Sequence, residues 1–290
     1  MRVVPTAYLF APAYPLDEVR QARAVTAAAA WCAATGLELV LSPTITERCP
    51  PGGWRPAAER QADLAAGLQH TVLLAARGGY GCLDLLEHLP RPTTWPTLIG
   101  YSDLTALQAV WGGPCLYGFM PGVAHGPRAP ATAAALWRGE GHTVTGRALR
   151  RGSAAGPLTA VCLRVLTGLV GTPWMPDLRG RLLAIEDIDE PPYRLDRDLA
   201  QLYHAGALRG LRGLIGGTFP ATLPAGYGGP SADEVLTRWA ERLEVPALGR
   251  IPFGHDPDPI TLALGRHSHL VVDDLPRLIQ DPAPCAAPSL

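Results

Sequence analysis

The chain has 290 residues, 47% of them hydrophobic, enough for a substantial core in one large domain or two ordinary ones. Charged residues make up 18% and the net charge is -1, so there is neither a basic field for nucleic acid nor an acidic tail. All 25 basic residues are arginine, which excludes Schiff-base and lysine-base chemistry.

In chain order, TAYLFA reads as a strand, 16–35 as an Ala-rich helix, LELVLS as a strand and 56–69 as a second helix. TVLLAA (71–76) reads as a buried strand, CLDLLEHL (82–89) as a short helix and TLIGY as a strand. A helix over 103–111 follows, with Leu104, Leu107, Val110 and Trp111 on one face. Continuous apolar strands alternating with amphipathic helices predict a parallel sheet covered on both sides. From 112 to 157 the chain is rich in Gly and Pro and reads as a linker or crossing region. Beyond it come helices at 158–170, 194–209 and 231–244 and the strands RLLAIE, GLIGGTF, TLALG and HLVVDD. The expectation is an α/β chain: an N-terminal parallel-sheet domain over 1–150 and a smaller mixed α+β domain over 151–290. The final stretch, DPAPCAAPSL, reads as disordered.

The six cysteines are scattered without a C-x-x-C pair and read as reduced thiols of a cytoplasmic protein. No run approaches the ~18 apolar residues that span a bilayer, so no membrane partner is expected. His267 and His269 form an H-x-H pair, read here as alternate residues on one strand face and not as metal ligands. No metal and no cofactor is expected.

Two loops follow neighbouring strands: RGGYG (77–81) after TVLLAA, and YSD after TLIGY. The carboxyl ends of parallel strands share one edge, so both loops face one crevice. Glycines there let a backbone approach a ligand and leave N–H groups free to point at it. A sharp strand-to-helix turn would lift the Ser102 hydroxyl toward such N–H groups, as in a nucleophile elbow, although G-Y-S-D-L is not G-x-S-x-G. The alternative is that Ser102 only caps the helix. A serine nucleophile needs an imidazole base, and the imidazole a carboxylate. His255, in FGHDPDP, and Glu186, at the end of RLLAIE, supply these types. His125 competes as the base, and Glu186 could instead pair with Arg194 or Arg197 at the surface.

ARGGYG, LIGYSDLTAL, HGP, LTGLVGTPWMPDLRGRLLAIEDIDEPPYRLDRDLAQLYHAGAL and IPFGHDPDPITLALG together resemble the LD-carboxypeptidase family of serine peptidases, which includes the microcin C immunity peptidases. The resemblance runs in order from about residue 5 to 275. It implies a flavodoxin-like N-terminal domain and a Ser-His-Glu triad at Ser102, His255 and Glu186. It also implies oxyanion donors at Asp103 and at Gly79 or Gly78. The implied substrate is a small peptide or muropeptide of peptidoglycan recycling, cleaved at an L,D amide to release a terminal D-amino acid. Arg77 is the candidate for the substrate carboxylate and Tyr80 a second substrate contact. A homodimer is implied as well. The alternatives are a microcin-type peptidase cleaving aminoacyl-nucleotide amides, for which stacking aromatics such as Trp174 or Tyr193 would speak, a silent peptide-binding homologue, and an esterase. One departure is Pro157, which stands where the family commonly carries an asparagine.

Overall fold

Short apolar runs make the parallel strands, and Ala-rich or amphipathic segments make the helices between them. The computed structural model describes residues 4–47, 49 and 53–283. The order is β1 (Thr6–Phe10), α1 (Glu18–Thr35), β2 (Glu38–Leu41), α2 (Pro43–Thr46), α3 (Ala57–Gly67), β3 (Val72–Ala75), β4 (Thr97–Gly100), α4 (Thr105–Val110), β5 (Cys115–Tyr117) and α5 (Arg128–Trp137). It continues with β6 (His142–Thr145), β7 (Arg147–Arg150), β8 (Gly152–Cys162), α6 (Leu163–Thr167), β9 (Leu182–Glu186), α7 (Pro192–His204), β10 (Gly213–Gly216) and α8 (Ala232–Leu243). Last come β11 (Ala247–Gly249), β12 (Leu262–Leu264), β13 (His267–Val272) and β14 (Arg277–Gln280).

Two units divide the described residues, one within 4–139 with 260–262, the other of 140–259 with 263–283. The first is built on a six-stranded sheet ordered β12-β5-β4-β3-β1-β2. From β5 to β2 the strands are parallel, in the order of flavodoxin-like folds. Every residue of β3 and β4 is buried, which is why these strands read as unbroken apolar runs. Helix α1 starts where the Asp17 carboxylate accepts the Arg20 N–H and stops at Gly36, whose φ of 73° ends the helix in the left-handed region.

The second unit holds an eight-stranded sheet ordered β6-β14-β13-β8-β9-β10-β11-β7. Strands β8, β9, β10 and β11 are parallel, and antiparallel strands flank them. Its core joins Leu183 and Ile185 of β9 to Leu199 and Leu202 of α7 and to Leu236 and Trp239 of α8. Helix α8 opens with a capping box between Ser231 and Glu234. This is the mixed α/β organisation expected, but two local readings change. Residues 158–162, expected as helix, extend β8 and pair with Leu182–Glu186 of β9. A short apolar run cannot be assigned by periodicity alone, and here a partner strand decides. The Gly/Pro-rich 112–157 is not a linker: it holds β5, α5, β6, β7 and half of β8. Pro157 lies within β8, opposite His267. Cys285 and residues 284–290 of the stretch expected to be disordered lie outside the described residues. No helix among the described residues is long and apolar enough to cross a membrane.

Candidate active site

In the first unit β4 ends at Gly100, and the chain turns through Ser102 into a short helical segment continued by α4. Ser102 has φ of 66°, a left-handed conformation that costs an L-residue about 1–2 kcal/mol. Its N–H donates to the Tyr117 hydroxyl at 3.3 Å. Gly78, in the loop after β3, packs directly against this turn. A Cβ there would stand 2.9 Å from Ser102 Cβ, 3.1 Å from its Oγ and 3.4 Å from the Asp103 nitrogen. The missing side chain therefore leaves a small space bordered by the hydroxyl and a backbone N–H. The Asp103 carboxylate points elsewhere and accepts the Cys82 N–H at 2.8 Å; burial pushes its carboxyl above the usual aspartate value. The helix-cap reading of Ser102 fails, because residue 102 is itself the first residue of the helical segment.

The Gly-rich loop is fixed by a residue that no motif in the sequence marks. Arg60, on α3, has no exposed surface and donates to the carbonyls of Arg55, Pro12 and Gly81 and to the Asp84 carboxylate. Gly79 and Gly81 have φ of 126° and 120°; a Cβ on the first would strike the Tyr14 ring, one on the second Arg60 and Trp54. An aromatic group borders the loop, with Trp54 at 5.6 Å from Tyr80 and 5.7 Å from Tyr14 between ring centroids. Tyr80 is 56% exposed. The Arg77 guanidinium lies 5.5 Å from the Tyr14 ring and donates to the carbonyls of Gly78 and Pro15. Burial, and the charge of Arg20 after it, lowers its affinity for its proton.

In the second unit β9 ends at Glu186, which is fully buried. One of its oxygens, Oε2, lies 2.7 Å from His255 Nδ1 and accepts the His255 backbone N–H at 3.2 Å. A carboxylate can only accept, so in the neutral imidazole the ring proton sits on Nδ1 and Nε2 carries the lone pair. Gly254, with φ of 79°, precedes His255, and a Cβ there would occupy the place of the Glu186 carboxylate. Burial alone would lower the imidazole's pKa; the Glu186 hydrogen bond and the charges of Glu186, Asp187 and Asp189 outweigh it, and the net shift is upward. Asp187 faces away from this pair, accepting the N–H groups of Arg164 and Ile188, and burial raises it to about 6. The surface ion-pair reading of Glu186 is overturned: Arg194 bonds Glu190 at 3.1 Å instead. His125 packs against the Tyr101 ring at 5.7 Å. Tyr193 packs near Tyr227 at 6.2 Å, beneath Arg197.

Ser102, Asp103 and Gly78 thus stand together in one unit, and Glu186 and His255 in the other. A hydroxyl beside a backbone N–H, and an imidazole oriented by a carboxylate, are the groups of a hydrolase acting on acyl compounds. Residues 8–114 match the LD-carboxypeptidase N-terminal domain and residues 155–270 the LD-carboxypeptidase C-terminal domain, so the chain belongs to the LD-carboxypeptidase family of peptidases. A Streptomyces coelicolor protein bearing the provisional name carboxypeptidase is 30% identical over 302 residues, covering 95% of this chain and 93% of that one. The murein tetrapeptide carboxypeptidase of Pseudomonas aeruginosa is 31% identical over 216 residues, 64% of this chain and 67% of its own length. Among solved structures, the muramoyltetrapeptide carboxypeptidase of Oxalobacter formigenes has a TM-score of 0.85 at 24% identity, covering 96% of this chain and 99% of that one. MccF in complex with glutamyl sulfamoyl guanosine has a TM-score of 0.79 at 21% identity, covering 98% and 97%. At such identities the structures speak for the fold.

Proposed function

We propose that this peptidase is a cytoplasmic serine carboxypeptidase that cleaves the amide between an L-configured centre and a terminal D-amino acid in murein-type peptides. The buried 2.7 Å bond between Glu186 and His255 carries the reading, because a desolvated carboxylate bonded to Nδ1 is what a general base needs to present Nε2. In the proposed reaction Nε2 takes the Ser102 proton as Oγ attacks the scissile carbonyl. The negative oxygen is received by the Asp103 N–H and by N–H groups of the Gly78–Gly79 loop. Protonated Nε2 then gives its proton to the departing D-amino acid nitrogen, and water, activated by the same imidazole, releases the acyl group. Arg77 is assigned to the substrate's terminal carboxylate and Tyr80 to its neighbouring part. The name of the Pseudomonas relative supports the substrate class. The cytoplasmic setting is supported by cysteines that stand as thiols, with no disulfide among the described residues.

The exposed Tyr80 with Trp54 and the exposed Tyr14 near it favours a second reading, in which a nucleobase of an aminoacyl-nucleotide amide stacks beside the loop. One experiment separates the two: incubation with L,D-tetrapeptides and with aminoacyl sulfamoyl nucleosides, the released products being identified by mass. Reaction with a fluorophosphonate tests the triad itself. Labelling should fall on Ser102, vanish in His255→Ala and persist in His125→Ala; labelling that survives in His255→Ala removes the base assignment.

A further inference from the structure

The H-x-H pattern of β13 predicts two side chains on one strand face. They do share a face, and on it they meet a third group that the sequence did not mark. In the antiparallel pairing of β13 with β14, Ser268 stands opposite Gln280 and His269 opposite Ile279. One residue further, the Asp281 N–H donates to the His267 carbonyl at 3.2 Å, so Asp281 lies across from His267 and diagonal to His269. Its Oδ2 is 3.0 Å from His267 Nδ1 and 3.2 Å from His269 Nε2, and the three donor atoms lie within 4.8 Å of one another.

We propose that His267, His269 and Asp281 form a binding site for a late first-row divalent cation, with Zn²⁺ as the natural occupant. Imidazole nitrogens and a carboxylate are the donors such ions prefer. Ligand distances of ~2.1 Å put tetrahedral donors about 3.4 Å apart; Asp281 Oδ2 already stands near that distance from each imidazole, and rotation of the exposed side chains would bring the two nitrogens, within 4.8 Å of each other, to it as well. All three side chains are partly exposed, which leaves the ion an entry path and a fourth position for water. In a neutral imidazole bonded to a carboxylate the proton lies between them. To ligate through the nitrogen that now faces the carboxylate, each imidazole must carry its proton on the other ring nitrogen, Nε2 in His267 and Nδ1 in His269.

The framework is fixed from behind. On the opposite face Gln280 is buried and bonds Ser268 Oγ and both the N–H and the carbonyl of Ala263, which locks the register of β13 and β14. Arg266 donates to the carbonyls of Ala283 and Glu140, which pins the chain just beyond Asp281. The ion would therefore staple β13 to the segment after β14. The site is distinct from the hydrolytic residues and does not depend on how they are assigned.

The test uses the full chain without a histidine tag. Calorimetric titration with Zn²⁺ should show one saturable equivalent, and Co²⁺ should give visible absorption without thiolate charge-transfer bands. His269→Ala and Asp281→Asn should each weaken binding beyond the about 10–100-fold that loss of an outer-shell partner costs, while His88→Ala leaves it unchanged. The Co²⁺ spectrum and Zn²⁺ titration of the unaltered chain keep the test decisive if a variant misfolds. Absence of a saturable equivalent, thiolate bands in the Co²⁺ spectrum, or binding that survives His267→Ala with His269→Ala overturns the proposal.

Discussion

Glu186→Gln keeps the shape of the buried side chain and removes its charge, and the structure fixes what else changes. Oε2 takes two donors, His255 Nδ1–H and the His255 backbone N–H. The backbone donor cannot be reversed, so it holds the amide oxygen, not the NH₂ group, at that position. The imidazole then keeps its proton on Nδ1 and its lone pair on Nε2. The loss should therefore be far smaller than the about 10,000-fold that follows when an amide at this place inverts the tautomer. What disappears is the charge. A hydrogen bond to a charged group contributes ~1.5–3 kcal/mol and a neutral one ~0.5–1.5, a difference of about 1–2 kcal/mol. At about 1.36 kcal/mol per factor of ten, kcat/KM should fall about 5- to 30-fold.

A second signature accompanies that loss. Burial pushes the His255 imidazole down and Glu186 is the main force raising it. Without that charge burial prevails, and the acidic limb of the kcat/KM profile should move to lower pH. The assay is steady-state hydrolysis of an L,D-tetrapeptide across the pH range, with melting followed in parallel. An unmoved limb would refute the assignment of His255 as the base. A loss near 10,000-fold would show the amide nitrogen facing Nδ1 and refute the argument from the shared oxygen.

Ser102→Ala and Ser102→Gly should both abolish turnover. The glycine variant should melt higher by about 2–4 °C, because alanine keeps the strain of φ 66° and glycine releases about 1 kcal/mol of it; equal melting would show that the turn is not strained. Gly78→Ala fills the space beside Ser102 Oγ and the Asp103 N–H, and kcat should drop about 100- to 1,000-fold, as when an oxyanion donor is lost. Asp187 holds its proton more tightly folded than unfolded, so its contribution to stability is complete below pH 3.8 and is lost as the pH rises through about 6. The span corresponds to about 3 kcal/mol; denaturant titrations at several pH values should show this slope in the unaltered chain and a flatter one in Asp187→Asn.

The parallel sheet of the first unit was legible because VLLA and TLIG are buried on both faces and carry no amphipathic signal to mislead. LTAVC of β8 has the same composition, but a helix follows it at once, and only the pairing with β9 tells strand from helix. Strand β14 went unread because RLIQ is four residues long and its register depends on β13. At the site, the turn at Ser102 could be seen in G-Y-S-D after an apolar run. The burial of Glu186 could not, since EDIDE beside arginines reads equally well as a solvated surface. Arg60 gave no signal at all, because a helical arginine is exposed by default and becomes a loop anchor only through the carbonyls around it.

The two units solve one construction problem in the same way. In each, a side chain to which the proposed function gives a role stands at or just past the carboxyl end of a parallel strand, and a glycine packs where any Cβ would collide: Gly78 on Ser102, Gly254 on Glu186. A larger residue at either place would displace the group that the proposed chemistry uses, so precision is obtained by absence of a side chain. The cost is conformational freedom in the unfolded chain, together with positive φ at Ser102, Gly79 and Gly254. Arg60 offsets this in the first unit by four hydrogen bonds, and in the second unit the Glu186 carboxylate itself holds the backbone of His255. Removing Arg60, a fully buried side chain whose four acceptors would lose their donor, should therefore lower stability along with the geometry of the loop.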